Sequence, residues 1–283
     1  MGGFAPCPPE AVAAAESICG PVSLTEITNR RSAAVWKAVG PLGGAAIKVG
    51  HGTDGEGAEI TAREAATLDA LPEYTVVAGR SGADVWYVTP WLDGPSTWAL
   101  FRPVRDGSGV RATPLAGAVS LCRAVADLHA VGWVHGDLQP AHGIHIASGV
   151  KLIDFAWSWR EGTDPWWEFN GGITHLVAPE LAAWITTGPQ PVTPSRAADV
   201  YALAGVFWTC VTGRWPLDYE AVGVTVEDSS PAELRKAITA GVPLTDARCW
   251  PRFQSVLADV LTAPAADRPT AGELAEKLAE VTP

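Results

Sequence analysis

The sequence predicts an α+β fold, in which an antiparallel β-sheet comes first along the chain and a longer helical part follows. Three apolar, strand-like runs, 22–28, 33–39 and 45–49, follow one another with only turn-forming residues between them, which is typical of an antiparallel meander. Beyond residue 93 the apolar residues recur at helical spacing over long segments, and no repeated strand-helix-strand pattern of a parallel sheet is found.

Residues 1–21 are predicted to form an N-terminal extension and residues 22–92 the part that holds the sheet. An Ala-rich helix is expected at 8–19, ending at Gly20-Pro21 and packing outside the core. After the meander, helical spacing predicts a helix at 59–71, and β-branched and aromatic residues predict a strand at 85–91 that ends at the turn Asp93-Gly94-Pro95.

Residues 93–283 are predicted to form the longer helical part. An amphipathic helix is expected at 115–131, ended by Gly132, and a final helix at 271–281. Between them, two apolar runs at 143–147 and 150–155 predict a β-hairpin.

Composition indicates a globular protein, with 47% hydrophobic and 18% charged residues in 283. No run of about 18 apolar residues and no basic-then-apolar N-terminus occur, so we expect no membrane association, no signal peptide and a cytoplasmic location. The five scattered cysteines lack a C-x-x-C pair, which argues against disulfides and zinc. A net charge of −11 disfavours nucleic acid as a partner and suits a basic partner or a small ligand.

The stretch 134–158, VHGDLQPAHGIHIASGVKLIDFAWS, has a carboxylate on each side of the predicted hairpin. Asp137 precedes the hairpin and Asp154 lies at its end. Such a pair suits a metal-assisted transfer, although a His-x-Asp tripeptide also occurs by chance on buried turns.

This stretch resembles the catalytic and metal-binding loops of the protein kinase superfamily, where His-x-Asp is followed after four residues by Asn and later by Asp-Phe-Gly. The positions that match are His135, Asp137, Asp154 and Phe155, and those that depart are Gln139, His142 and Ala156. The resemblance implies that Asp137 acts as the base, with His135 and Gln139 in the catalytic group, and that Asp154 holds Mg²⁺ against the phosphates of ATP.

The strand AAIKV at 45–49 resembles the kinase strand whose lysine contacts the α and β phosphates. By that resemblance Lys48 binds nucleotide, held by an ion pair with a helix glutamate. Glu64 is the expected partner and Glu59 the alternative.

The resemblance implies the two-lobed fold of the family, with a small antiparallel β-sheet lobe at 22–92, a larger helical lobe at 93–283 and the nucleotide site between them. Other parts of this predicted site depart from the family. The loop between the first two strands lacks the expected glycines, and Arg30 or Arg31 could replace amide contacts with charge-assisted ones. Backbone groups around Thr89 and Trp91 resemble the hinge that faces adenine, although Pro90 removes one donor.

The glycines Gly50, Gly52 and Gly55 also fit G-x-G-x-x-G between a strand and a helix, the pattern of a dinucleotide site. The strands before it form a meander and not a βαβ unit. We therefore interpret the segment as a strand-to-helix connection.

Three further residues match structural positions of the family. Glu180 stands in Ala-Pro-Glu, Asp199 opens a segment similar to the buried central helix, and Arg268 resembles the partner of the Ala-Pro-Glu glutamate. These matches lie in the family's order along the chain.

Four tryptophans crowd the segment before Ala-Pro-Glu: Trp157, Trp159, Trp166 and Trp167. They either pack down on the larger lobe or form a substrate platform. His142 stands where the family has a magnesium-binding asparagine. It either ligates a metal, favouring Mn²⁺ over Mg²⁺, or only bonds a loop carbonyl.

The resemblance implies an ATP-dependent phosphotransferase acting on a hydroxyl. The acceptor is a serine or threonine of a peptide or protein, including a biosynthetic precursor whose phosphate a partner lyase eliminates, or a small molecule, since His-Gly-Asp is similar to aminoglycoside-type kinases. The alternative class is a pseudokinase that binds nucleotide or peptide as a scaffold. Missing glycines, Gln139 and His142 favour the pseudokinase, whereas Lys48, Glu64, Asp137 and Asp154 oppose it.

Overall fold

A computed structural model describes residues 6–30, 32–52, 56–163, 165, 169 and 171–283. The chain divides into two compact units, Met1–Leu92 and Asp93–Pro283. The first unit holds an antiparallel sheet and two helices, and the second is mostly helical, so the predicted α+β class is confirmed.

The first unit is a five-stranded antiparallel sheet with the strand order β1-β2-β3-β5-β4. Its strands are β1 (Ser23–Arg30), β2 (Ala33–Gly40), β3 (Gly43–Gly50), β4 (Val77–Ser81) and β5 (Asp84–Pro90), and its helices are α1 (Pro9–Cys19) and α2 (Glu56–Ala70). Strand β4 was not predicted, because its sequence VAGRS has neither a β-branched run nor a clear alternation.

Helix α1 covers one face of this sheet, so the expectation that it packs outside the core is wrong. Ala11, Ala15 and Cys19 are fully buried against the indole rings of Trp36 and Trp86. Small residues spaced by four lie on one helix face, which lets the helix axis approach these large rings closely. The helix is therefore part of the core of this unit.

The second unit is organised around helix α7 (Arg196–Thr212), in which every residue from Ala198 to Val211 is buried. Its other helices are α3 (Thr97–Leu100), α4 (Arg102–Arg105), α5 (Ala112–Ala130), α6 (Pro179–Thr187), α8 (Pro231–Ala240), α9 (Pro251–Thr262) and α10 (Ala271–Ala279). A helix that is apolar all round is expected at the centre of a domain. Helix α7 is thus the support on which the loops of this unit rest.

Two short antiparallel pairs shape the loops of the second unit. Strands β7 (Gly143–Ile146) and β8 (Gly149–Leu152) form the predicted hairpin, and β6 (Trp133–Val134) pairs with β9 (Trp159–Arg160). Over the part of the chain that the structure describes, no helix combines the length and the apolar character that crossing a membrane requires.

Candidate active site

In the first unit, Lys48 and Glu64 form a close ion pair. Lys48 lies in β3, on the sheet face opposite to its buried neighbours Ile47 and Val49, because side chains alternate along a strand. Its Nζ is 2.5 Å from Oε2 of Glu64 in α2, and the Glu64 side chain is 1% exposed. Glu59, the alternative partner, is exposed on the same helix. The buried carboxylate holds the ammonium group in one orientation.

The glycines after β3 serve close packing. A Cβ on Gly50 would lie 2.0 Å from the carbonyl oxygen of Gly57, and the Gly52 N–H donates a 2.9 Å hydrogen bond to Oδ1 of Asp84. The backbone thus runs tightly between helix α2 and the β4–β5 turn, where a side chain would collide. Gly55 lies outside the described residues. The packing accounts for Gly50 and Gly52 without a bound dinucleotide.

The β1–β2 turn is anchored beside the start of α2. Ser32 adopts a φ of 61°, and its carbonyl oxygen accepts a 2.7 Å hydrogen bond from the N–H of His51. A Cβ on Gly57 would lie 2.2 Å from that same oxygen. Arg30 is the last residue of β1, and Arg31 lies outside the described residues.

The predicted hinge residues lie at the end of β5. Thr89 pairs with Ala46 in the sheet, and the Trp91 N–H donates a 2.9 Å hydrogen bond to the Gly44 carbonyl. The ammonium group of Lys37 lies 4.2 Å from the centre of the Trp91 ring. The Trp91 N–H is therefore used within the sheet and is not available to a ligand.

In the second unit, Asp199 anchors the loop that carries Asp137. Its carboxylate is 2% exposed and accepts hydrogen bonds from the backbone N–H of His135 at 2.7 Å and of Gly136 at 2.9 Å. The His129 ring adds a third contact, with Nε2 2.9 Å from Oδ2. A buried carboxylate with several donors is stable only when these partners stay in place, so the loop is fixed to helix α7.

Gly136 is glycine for a local reason. Its φ is 75°, and a Cβ there would lie 2.6 Å from the carbonyl oxygen of Trp157. A larger residue would face both a left-handed backbone and a backbone collision. Glycine is needed at position 136 because the segment after Asp154 approaches the loop so closely.

The His135 ring is a support for the loop. It is 0% exposed, its Nε2 lies 3.1 Å from the Ile153 carbonyl oxygen, and its Nδ1 accepts a 3.3 Å hydrogen bond from the Asp137 N–H. Burial lowers the pKa of His135 from 6.5 to about 4, so the ring is neutral with its proton on Nε2. A ring without exposed surface cannot touch a substrate, so we assign His135 to positioning Asp137.

The carboxylate of Asp137 is 9% exposed and is contacted from two sides. The Gln139 amide nitrogen lies 2.9 Å from each carboxylate oxygen. A carboxylate only accepts hydrogen bonds, so this contact fixes the orientation of the Gln139 amide. On another side Gly172 lies so close that a Cβ there would stand 1.6 Å from Oδ1.

Asp154 and His142 connect the hairpin to the Asp137 loop. Asp154 has a left-handed backbone, with φ 65° and ψ 62°, a conformation that is strained for a residue other than glycine. The His142 ring lies between the two acids, with Nδ1 2.8 Å from the Asp137 carbonyl oxygen and Nε2 3.5 Å from Asp154 Oδ2. From the sequence, we expected His142 either to bond a loop carbonyl or to lie at the metal position. In the structure its ring faces both the Asp137 carbonyl oxygen and Asp154.

Glu180 and Arg268 form a two-pronged ion pair. The two guanidinium nitrogens lie 2.6 and 2.8 Å from the two carboxylate oxygens, and the Arg268 side chain is 2% exposed. Arg268 also donates to the Ala197 carbonyl and lies 5.0 Å from the Tyr201 ring. The pair links α6 to helix α7 and the start of α10, which is a structural role.

The described tryptophans of the segment after Asp154 are partly packed. The Trp157 ring meets Phe169 edge to face at 5.5 Å, and Phe169 is 1% exposed. Trp159 lies in β9 and its Nε1 donates to the Thr163 carbonyl at 3.2 Å. Trp166 and Trp167 lie outside the described residues. For Trp157, the contact favours packing over a platform.

Sequence reasoning missed two residues that contact this site, His129 and Gly172. The pair Gly171-Gly172, within a segment of bulky residues, is a signal of close backbone approach that could have indicated Gly172. His129 carries no such signal, because a single histidine near the end of a helix has no motif around it.

Comparison with known proteins gives several distant relatives, and no family model matches the chain. The chain is 25% identical over 209 residues to the probable serine/threonine-protein kinase PkwA of Thermomonospora curvata, covering 68% of this chain and 24% of that protein. It is 28% identical over 222 residues to the serine/threonine-protein kinase PknD of Mycobacterium tuberculosis, covering 75% and 31%. With the serine/threonine-protein kinase mph1 of Schizosaccharomyces pombe it shares 30% identity over 103 residues, 34% of this chain and 15% of that protein. The matched regions thus span under a third of the length of these relatives.

Proposed function

The chain is related to the protein kinase superfamily, and we propose that it is an ATP-dependent phosphotransferase that acts on a hydroxyl group. The names of its relatives favour serine or threonine of a peptide or protein as the acceptor. We further propose that residues 22–92 bind the nucleotide and that residues 93–283 carry the transfer chemistry.

The observation that carries this proposal is the contact of one ring, His142, with the backbone carbonyl of Asp137 and with the carboxylate of Asp154. Nδ1 of His142 is 2.8 Å from the Asp137 carbonyl oxygen, and Nε2 is 3.5 Å from Asp154 Oδ2. Phosphoryl transfer depends on placing a base and a metal ligand close together and on little covalent chemistry from the protein. The ring links the loop of Asp137 to Asp154, which supports the proposed roles of these two residues.

Asp137 is proposed to orient the acceptor hydroxyl and to take its proton as the oxygen bonds to the γ phosphorus. The bond between that phosphorus and the β–γ bridging oxygen breaks, ADP leaves, and the proton passes from Asp137 to solvent. Gln139 holds the carboxylate through two 2.9 Å contacts, and Asp199 holds the loop backbone. Both contacts keep the carboxylate in one place before the acceptor arrives.

Asp154 is proposed to hold the divalent ion that accompanies ATP. When bound, Mg²⁺ or Mn²⁺ neutralises charge on the phosphates. Within the described ranges, no cluster of three His, Cys, Asp or Glu residues suits a metal. The Asp154 carboxylate suits an ion that takes its remaining ligands from nucleotide phosphates and water, as Mg²⁺ does in kinases.

Lys48 is proposed to contact the α and β phosphates, with Glu64 holding it in place. Arg30 and Arg31 of the β1–β2 turn are proposed to contact phosphate oxygens in place of glycine amides. The backbone of Thr89 and Trp91 is proposed to face the adenine.

Which class of molecule carries the acceptor hydroxyl is a question for experiment. A peptide precursor whose phosphorylated serine or threonine feeds a separate lyase is one proposal, and an alcohol of a small molecule is the other. The second is favoured by Gly136, because the close approach of the Trp157 carbonyl leaves no room for the arginine found in many protein kinases.

The test begins with thermal shift in ATP or ADP, each with Mg²⁺ or Mn²⁺, followed by phosphate transfer from γ-labelled ATP to peptides encoded nearby and to aminoglycosides. We expect metal-dependent stabilisation by nucleotide and transfer to one acceptor class. Asp137→Asn should abolish transfer, and Asp127→Asn, at an exposed position on α5, should not. Nucleotide binding without transfer to any acceptor would support a pseudokinase scaffold instead.

A further inference from the structure

The His142 ring has a defined tautomer. Its Nδ1 lies 2.8 Å from the carbonyl oxygen of Asp137. A carbonyl oxygen only accepts hydrogen bonds, so Nδ1 must carry a proton. In the neutral ring Nε2 then bears the lone pair, as in the histidines that bind metals through Nε2.

This lone pair is directed at a second electron-pair donor. Nε2 lies 3.5 Å from Oδ2 of Asp154, and the His142 side chain is 9% exposed. Two acceptors that face each other without a cation between them repel, and burial increases the cost. A cation placed between the two atoms would satisfy both lone pairs.

The backbone holds the ring in this place. The His142 N–H donates to the Gln139 carbonyl at 3.0 Å, and the His142 carbonyl accepts from the Ile153 N–H at 3.0 Å. The ring is thus tied at its backbone and at Nδ1, and Nε2 is the edge that faces Asp154. Preorganisation of this kind is typical of histidines that bind metal.

Resting on the proposed function, we propose that His142 Nε2 and Asp154 form a mixed nitrogen and oxygen pair that binds the divalent ion and makes the site prefer Mn²⁺ over Mg²⁺. Neighbouring ligands of an octahedral ion at about 2.1 Å lie about 3.0 Å apart, near the observed N···O separation. Mg²⁺ is a hard ion that strongly prefers oxygen, whereas transition-metal ions accept imidazole nitrogen more readily.

The test is pulsed electron paramagnetic resonance of Mn²⁺ bound with a non-hydrolysable ATP analogue. Wild-type protein should show coupling to an imidazole nitrogen, and ¹⁵N-histidine labelling should change the coupling pattern, which separates it from the adenine nitrogens. Because the label needs no substitution, the result does not depend on how a variant folds.

The variant His142→Asn should lose this coupling while still binding Mn²⁺ with the nucleotide. The ratio of its Mn²⁺ affinity to its Mg²⁺ affinity, measured by calorimetry, should fall by about tenfold or more. A tenfold loss of metal affinity is the lower end of what is found when a residue that supports a metal site is changed. The control His175→Asn makes the same chemical change at a half-buried histidine that stacks on Trp215, and it should keep the coupling.

Two failures are distinguishable. Mn²⁺ that binds wild-type protein with nucleotide but shows no histidine coupling overturns the inference and leaves the proposed phosphate transfer untouched, since the His142 ring would then only connect the Asp137 carbonyl to Asp154. Absence of any nucleotide-dependent Mn²⁺ or Mg²⁺ binding by wild type overturns the inference and the proposed function together.

Discussion

The backbone of Gly172 lies directly against the carboxylate of Asp137, so that a Cβ added at residue 172 would stand 1.6 Å from Oδ1. The segment before Ala-Pro-Glu therefore forms one wall around the proposed base. Only a residue without a side chain permits this wall, because a Cβ at that distance overlaps the oxygen.

Gly172→Ala should reduce phosphate transfer strongly, because either the carboxylate or the segment must move. A displacement of about 1 Å at a reacting group can cost about 10²-fold in rate. The measurement is the transfer rate at saturating ATP. Gly272→Ala is the matched control, since its added Cβ would meet only ordinary contacts, the nearest at 3.9 Å. Equal rates for Gly172→Ala and wild type would show that the wall plays no part in catalysis.

Asp137→Asn should remove transfer while leaving nucleotide affinity within a few fold. The amide cannot take the acceptor proton, and general-base catalysis contributes about 10²–10⁴-fold in rate. Single-turnover transfer and calorimetric titration with ATP check the two parts separately. Transfer at a near wild-type rate would exclude Asp137 as the base.

Asp154→Ala should abolish the metal-dependent part of nucleotide binding. In wild type, ligand at 100 times its Kd stabilises the fold by about 2.7 kcal/mol. The variant should show the same small thermal shift with ATP whether Mg²⁺ or a chelator is present. A metal-dependent shift as large as that of wild type would place the metal ligand elsewhere.

The folded chain should lose stability as the pH falls from about 6.5 towards 4. Burial lowers the pKa of His135 from 6.5 to about 4 and that of His145 likewise to about 4. Below pH 6.5 the unfolded chain takes up protons that the folded chain does not, so the free energy of unfolding falls with pH, by up to about 1.4 kcal/mol per pH unit for each ring.

Urea unfolding at pH 7.5, 6.0 and 5.0 measures this dependence. His145→Gln should have a shallower pH dependence than wild type, and His135→Gln should behave similarly if it folds. Between pH 7.5 and 5.0, an unchanged free energy of unfolding in wild type would contradict the buried neutral state of both rings.

The segments of this fold could be read from local pattern. The strands of the meander, helix α2 and helix α5 were predicted within a few residues, because alternation and helical spacing depend on neighbours along the chain. The relationship to kinases was also readable and is confirmed, since the distinguishing residues stand at characteristic spacings around Asp137 and Asp154.

What local pattern could not decide is how distant segments approach one another. Asp199 holds the backbone of His135 across 64 residues, and Gly172 meets Asp137 from another part of the chain. Neither contact produces a periodic pattern in the sequence, because both depend on the positions of helix α7 and of the segment before α6 in the folded chain. The sequence by itself therefore determined the elements and the candidate residues. Only the tertiary structure decided that His142 bonds the Asp137 carbonyl through Nδ1 and presents Nε2 to Asp154. The reason is that the tautomer of a histidine ring follows from the atoms around it.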